Sequence, residues 1–172
     1  DYPTLFGEIR QTDSNYLLIP RVSSEKRQYI PIGFMNREDI ASDATIIMPN
    51  ATLYEFGILT SKMHMAWTKY VCGRLKSDYR YSKDIVFNNF PFPNVDDKGR
   101  NNIEKCAENV LKIRNSYEGT SLAVLYNPIT MPAELVKAHK KLDVAVELAY
   151  GKRFTSDEKR VMFLFELYEN IN

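Results

Sequence analysis

The 172-residue sequence is poor in the residues from which most catalytic and metal centres are built. It has two cysteines, Cys72 and Cys106, without paired-motif spacing. That excludes a disulfide scaffold and a cysteine-paired zinc site, and fits a reducing cytoplasm. Its seven glycines do not cluster into a dinucleotide-binding or phosphate-binding loop, and there is no G-x-S-x-G nucleophile elbow. The two histidines, His64 and His139, each lack a Cys, His or carboxylate at metal-ligand spacing on the same helical face, so each reads as a packed or solvated side chain. No apolar run is long enough to span a bilayer, and no signal peptide is visible. A net charge of +1 leaves any affinity for nucleic acid to local clustering of bases. The chain starts at Asp1 without a Met and reads as a piece of something longer.

Apolar residues make up 44% of the chain, enough to bury a core, and they are arranged differently in its two halves. Up to about residue 93 the apolar runs are short and rich in Pro, Tyr and β-branched residues. Tyr16–Pro20, Gln28–Phe34 and Thr45–Met48 read as strands, with Pro31 placing the second at an edge or bulge. Leu53–Leu59 reads as a short helical segment. Ser61 is a cap for a helix from Lys62 to about Gly73, where glycine supplies the stop. Tyr79–Ser82 and Ile85–Phe87 return to extended structure, and Asn88–Pro93 is neither helix nor central strand.

From Val95 the period becomes helical. Asp96–Arg100 reads as a polar loop, its two adjacent carboxylates a solvated turn. One helix follows through Ile103, Ala107, Val110 and Leu111. Pro132 opens another, ended by Gly151, and Thr155–Glu158 has capping-box spacing for the last. Asn127–Thr130 partly resembles the Asn-Pro-Pro-aromatic motif of amino-methyltransferases. It lacks the second Pro and the aromatic, and is a turn before the Pro132 helix. The expectation is an α+β chain: a small mixed α/β domain over residues 1–94 and an all-α helical bundle over 95–172.

Charge is uneven along the chain. Residues 62–83 carry six bases (Lys62, Lys69, Arg74, Lys76, Arg80, Lys83) against Asp78 alone, whereas each flanking stretch is net acidic. Tyr70, Tyr79 and Tyr81 are interleaved with these bases, a composition suited to phosphates. If Lys76–Arg80 is extended, Lys76, Asp78 and Arg80 project to one face. Lys and Arg donate to guanine O6 and N7 and Asp accepts from cytosine N4, so Lys76 and Asp78 could address both bases of one G·C pair. A surface ion pair between them is the alternative.

At this point the motifs resemble a known family. Pro20–Arg27 followed by Tyr29–Phe34, then Phe56–Ser61 with Met63–Trp67, then Cys72–Ser82 and Asn88–Pro93, are similar to target-recognition domains of MmeI-type restriction–modification enzymes. The tail is similar to that family's C-terminal helical domain. The resemblance implies a parent chain combining a nuclease, a connector and an S-adenosylmethionine-dependent adenine N6-methyltransferase upstream of this segment. Double-stranded DNA and the upstream methyltransferase domain would be the partners, with no cofactor or catalytic residue in the segment itself and no membrane.

The resemblance also implies base readout by Lys76, Asp78 and Arg80, with Ala44 acting beside Arg80. Where a relative has an acid at the position of Lys76 and a base at that of Asp78, this chain has the reverse, which should exchange G for C. Arg21, Ser23, Ser24, Lys62, Lys69, Arg74 and Ser82 are assigned to the DNA backbone by residue type. The competing reading is a subunit-docking module whose tyrosines and prolines contact a protein partner.

Overall fold

Burial along Tyr16–Pro20 makes it the middle strand, β1, of a three-stranded antiparallel sheet in the computed structural model, which describes residues 12–171. β3 (Gly33–Met35) and β4 (Thr45–Pro49) flank it, with Leu17 opposite both Phe34 and Met48. A second antiparallel sheet has the order β2-β6-β5, from Val22–Ser23, Asp78–Arg80 and Gly73–Leu75. Arg21 joins the sheets through its peptide groups. Its N–H donates to the Ala44 carbonyl at 3.0 Å, and its carbonyl accepts the Tyr81 N–H at 2.7 Å.

The strand expected over Gln28–Phe34 is confined to Gly33–Met35. Pro31 has no N–H to give a ladder, and the Ile32 N–H turns back onto the Ile30 carbonyl at 2.9 Å. Tyr29, Ile30 and Ile32 go into the core instead of a sheet edge.

Helix α1 (Leu53–Leu59) opens with a capping box, in which the Glu55 carboxylate accepts the Thr52 N–H at 2.7 Å. Ser61 caps α2 (Lys62–Val71) as expected, but Gly73 does not stop that helix. Cys72 leaves it in an extended conformation and Gly73 begins β5. Ile85–Phe87 is not extended either. Lys83–Phe87 forms a single π-helical turn, closed by the Asn88 N–H on the Lys83 carbonyl at 2.9 Å. The Trp67 indole N–H satisfies the Val86 carbonyl of that turn at 3.0 Å.

The supposed polar loop at Asp96–Arg100 is the start of helix α3 (Asp97–Asn115). Asp96 is its cap, with Oδ1 accepting the Gly99 N–H at 2.7 Å. A short α4 (Leu122–Leu125) and the Asn127 turn lead into α5 (Ala133–Ala149), which Pro132 precedes and Gly151, at φ 72°, follows. For α6 (Asp157–Ile171) the capping contact comes from Ser156, whose Oγ accepts the Lys159 N–H at 3.4 Å, one residue after the expected Thr155.

The chain is thus α+β, with small antiparallel sheets and short helices followed by a helical region. That region is not a free-standing bundle. α3 and α5 pack on each other and on α1, α6 packs on α2, and one buried cluster runs through both halves. A methyl added at Gly57 on α1 would lie 2.7 Å from Ile103 Cγ2 on α3, so close helix approach requires glycine there.

Polar groups cross the same boundary. Asp143 on α5 accepts the Tyr29 hydroxyl at 2.7 Å and the Lys62 N–H at 2.8 Å. Arg114 on α3 donates to the Ile32 carbonyl at 2.6 Å and to Tyr126, whose hydroxyl also meets His139 Nε2 at 2.7 Å. Tyr29 stacks on His139 with ring centroids 4.1 Å apart.

Burial pushes both His64 and His139 down to about 3, whereas an unfolded histidine titrates at roughly 6.5. As pH falls below the unfolded value, the unfolded chain takes up two protons that the native state refuses, so stability falls. Burial pushes Asp143 up to about 6, which acts in the opposite sense: its native state takes a proton before the unfolded chain does. Two histidines outweigh one carboxylate. Near pH 5 these three groups should leave a net loss of about 1.4 kcal/mol per pH unit of acidification, one proton's worth. Urea midpoints between pH 7 and pH 5 measure this slope, and a midpoint that rises on acidification would contradict it.

Candidate nucleic-acid interface

The basic segment becomes a helix, a hairpin and a π-helical turn. α2 delivers the chain into β5 and β6, joined by the two-residue loop Lys76–Ser77 between the paired residues Leu75 and Asp78. Lys76 has φ 55°, the left-handed region, and a positive φ at the first loop position suits the twist of the flanking strands. This corrects the expected geometry. Asp78 and Arg80 alternate along β6 as anticipated, but Lys76 sits at the hairpin tip outside the strand.

Strand register divides the hairpin into two faces. The inner face is anchored. Tyr79 is buried, its hydroxyl donates to the Glu25 carbonyl at 3.3 Å, and the Arg74 guanidinium lies 4.3 Å above its ring. Arg74 also donates to the Ser77 carbonyl at 3.0 Å and the Lys69 carbonyl at 3.4 Å. Two residues after Tyr79, just past the end of β6, the Tyr81 hydroxyl is 2.8 Å from His64 Nε2 in the core. Burial holds the Tyr81 phenol well above the usual range, so it remains a neutral partner for a neutral histidine.

The outer face is open. Arg80 is exposed, and its guanidinium has no hydrogen bond or ion pair among the described residues. Asp78 Oδ1 accepts the Glu25 N–H at 3.3 Å. The partners of these residues in the ladder, Val22 opposite Arg80 and Leu75 opposite Asp78, share that face and are 41% and 51% exposed. Those two aliphatic residues were missed in the sequence. The alternation of Asp78 and Arg80 was visible there, but the strands paired with it were not. Ala44 is exposed, and its carbonyl holds the N–H of Arg21, the residue next to Val22, so it lies close to the Arg80 row.

The residues assigned to phosphates do not converge. Arg21 is exposed and directs Nε to the Thr45 carbonyl at 3.2 Å. Ser23 is buried on the Tyr79 side of the sheet. Ser24 Oγ accepts the Lys26 N–H at 3.4 Å, and Ser82 Oγ caps the π-helical turn. Lys62 begins α2, about 15 Å along its axis from the hairpin end. Lys69 is tied to Asp157 on α6 at 2.7 Å. Among the described residues no group of three or more His, Cys, Asp or Glu side chains is placed to hold a metal, and no helix is long and apolar enough to cross a membrane.

Residues 1–94 match the family described as MmeI, target recognition domain, and residues 95–172 match MmeI, C-terminal domain. The chain is 45% identical over 170 residues to DNA methyltransferase A of Bacillus subtilis (strain 168), covering 98% of this chain and 19% of that protein. It is also similar to the solved structure of the Type IIL restriction-modification enzyme MmeI in complex with DNA. There the TM-score is 0.92 at 49% identity, over 95% of this chain and 22% of that one. The chain therefore spans about a fifth of the length of each of these relatives.

The hairpin tip yields a direct test. Lys76→Val places a β-branched residue at positive φ and should cost about 1–2 kcal/mol, read as a lower Tm. Lys76→Asn, which tolerates that conformation, should stay within about 0.5 kcal/mol of the parent.

Proposed function

The chain belongs to the MmeI family, and from that premise we propose that it reads DNA sequence in the major groove for an adenine N6-methyltransferase domain of the same polypeptide. The supporting observation is the open face of β6, where an unpaired guanidinium and a half-free carboxylate stand on a strand whose other face is locked into the core. Residues 1–94 act as the reading domain and 95–172 as its support.

Arg80 donates to a guanine, with Ala44 beside it leaving room for the base. Asp78 accepts from a cytosine N4, and Lys76 at the tip reaches the guanine of the same pair. Val22 and Leu75 give that face an apolar component, which suits the C5-methyl of thymine. Arg21 and Ser24 border the reading face and contact the DNA backbone, whereas Arg74 is engaged on the inner face by Tyr79 and two carbonyls.

Catalysis belongs to the upstream domain, which binds S-adenosylmethionine and supplies the methyl group. The residues here do not fit that cofactor. Among the described residues, the glycines at positive φ, Gly119 and Gly151, lie in separate turns after helices, and neither sits between a strand and a helix as a nucleotide-binding loop would need. The cytoplasm is the compartment in which such an enzyme meets DNA.

The test uses the full-length polypeptide and competition among duplexes. Arg80→Ala should remove about 1–3 kcal/mol of discrimination at one base pair. Lys76→Glu combined with Asp78→Arg should exchange G for C at one position with similar overall affinity. Unchanged base preference in both variants would falsify the readout. Binding that hardly weakens with salt would favour a protein-docking module, since an interface that neutralises phosphates weakens steeply.

A further inference from the structure

α3 and α5 lie antiparallel, with the N-terminal half of α3 beside the C-terminal half of α5. Their outward sides leave two adjoining concavities that share Asn102 and Ala145 and so form one open groove. Lys98 and Lys105 stand on the α3 wall, and Lys137, Lys140 and Lys141 on the α5 wall, the last three at helical spacing on one side. The acid in the lining is Asp96, whose Oδ1 is already engaged in capping α3.

None of these five lysines makes an ion pair among the described residues. The arginines of the same region behave differently. Arg100 pairs with Glu104 at 3.7 Å, Arg153 and Arg160 both pair with the buried Glu147, and Arg114 is spent on Tyr126 and the Ile32 carbonyl. The helical region engages its arginines with partners of its own and leaves these five lysines, compact charges on flexible stems, without ion pairs around one groove.

The groove has the character of a backbone site. Unpaired lysines in excess of acids call for a polyanion, and a flexible ammonium carries no base information. From Lys137 to Leu148 it runs about 16 Å, the axial length of about five base pairs. No aromatic side chain lines it, whereas a protein-docking groove would be expected to offer aromatic anchors.

We propose that the α3–α5 groove holds phosphates of duplex DNA flanking the recognition sequence, independently of base identity. This rests on the reading of the chain as a DNA-recognition module, and deepens it by giving the helical region its own contact with DNA. The groove adds affinity and the hairpin adds choice, so the two are separable.

The test compares, in the full-length polypeptide, the parent with Lys137→Gln/Lys140→Gln/Lys141→Gln and with the corresponding triple Glu variant. Thermal melts confirm that each is folded, and the milder Gln variant carries the test if the Glu variant is not. Each is titrated with a duplex ending at the recognition sequence and with one extended by about two helical turns on both sides. The parent should bind the extended duplex more tightly. The Gln variant should lose about tenfold on that duplex, with a salt slope shallower by about two to three, and be unchanged on the short one. Base preference should be the same in all three proteins. Equal affinity of parent and variants for the extended duplex overturns the proposal, as does an equal loss on both duplexes. If no protein shows base preference while the flank effect persists, the hairpin reading fails and the groove stands.

Discussion

Asp143 is the side chain on which the two halves of the molecule converge. One carboxylate oxygen takes the Tyr29 hydroxyl, and the other takes the first N–H of α2. A buried carboxylate is costly to leave unpaired, and so is a buried phenol or a helix-terminal N–H. Each of the three groups therefore makes the others' placement necessary. Burial raises Asp143 to about 6, so at neutral pH it remains an anion, held by donors from two directions. Removing it would strand both donors, which is why α5 acts as the post on which the segment around Tyr29 and the start of α2 are hung.

That attachment reaches the hairpin through α2. One side of the helix is buried against the core through Met63, His64 and Trp67, and its end leads directly into β5. Tyr79 and Tyr81 then clamp the hairpin from beneath, through the Arg74 stack and the His64 contact. The inner face is packed and anchored, with only the buried Ser23 hydroxyl and His64 Nδ1 left without a partner there among the described residues. The charged side chains of β6 stand on the opposite face, where they meet solvent or a ligand. A recognition surface needs this asymmetry, because a reading side chain discriminates only if its backbone does not move when the wrong base is offered.

The helical region shows a related division of labour between cations. Arginine, with a planar fork that satisfies several acceptors at once, is used to close internal networks at Glu147, Tyr126 and Ile32. Lysine is kept for the surface. The near-neutral total charge hides this arrangement, because acids such as Asp96, Glu147 and Asp157 are absorbed in caps and pairs while certain bases are left exposed.

Much of the fold was legible from residue order alone. The switch from short β-rich runs to helical period near Val95, the cap at Ser61, the stop at Gly151 and the alternation of Asp78 with Arg80 are local patterns, each decided by a few neighbouring residues. The misreadings were also local in cause. Pro31 suggested a sheet edge, but Tyr29, Ile30 and Ile32 were drawn into a core supplied by distant helices. Asp96 and Asp97 read as a solvated turn, but Asp96 caps α3 and Asp97 begins it. Lys76 reads as part of an extended run, but the pairing of Leu75 with Asp78 makes it the first residue of a two-residue turn. The assignments by residue type had no means of registering that Ser23 is buried or that Lys69 pairs with Asp157, because both depend on groups elsewhere in the chain. Sequence by itself determined most of the helices, the cap at Ser61 and the residue types available along β6, since these depend on neighbours within a few residues. Only the tertiary structure decided which side chains are consumed by partners and which are left over, because that depends on groups fifty to more than a hundred positions away, such as Glu25 for Tyr79 and Asp143 for Tyr29.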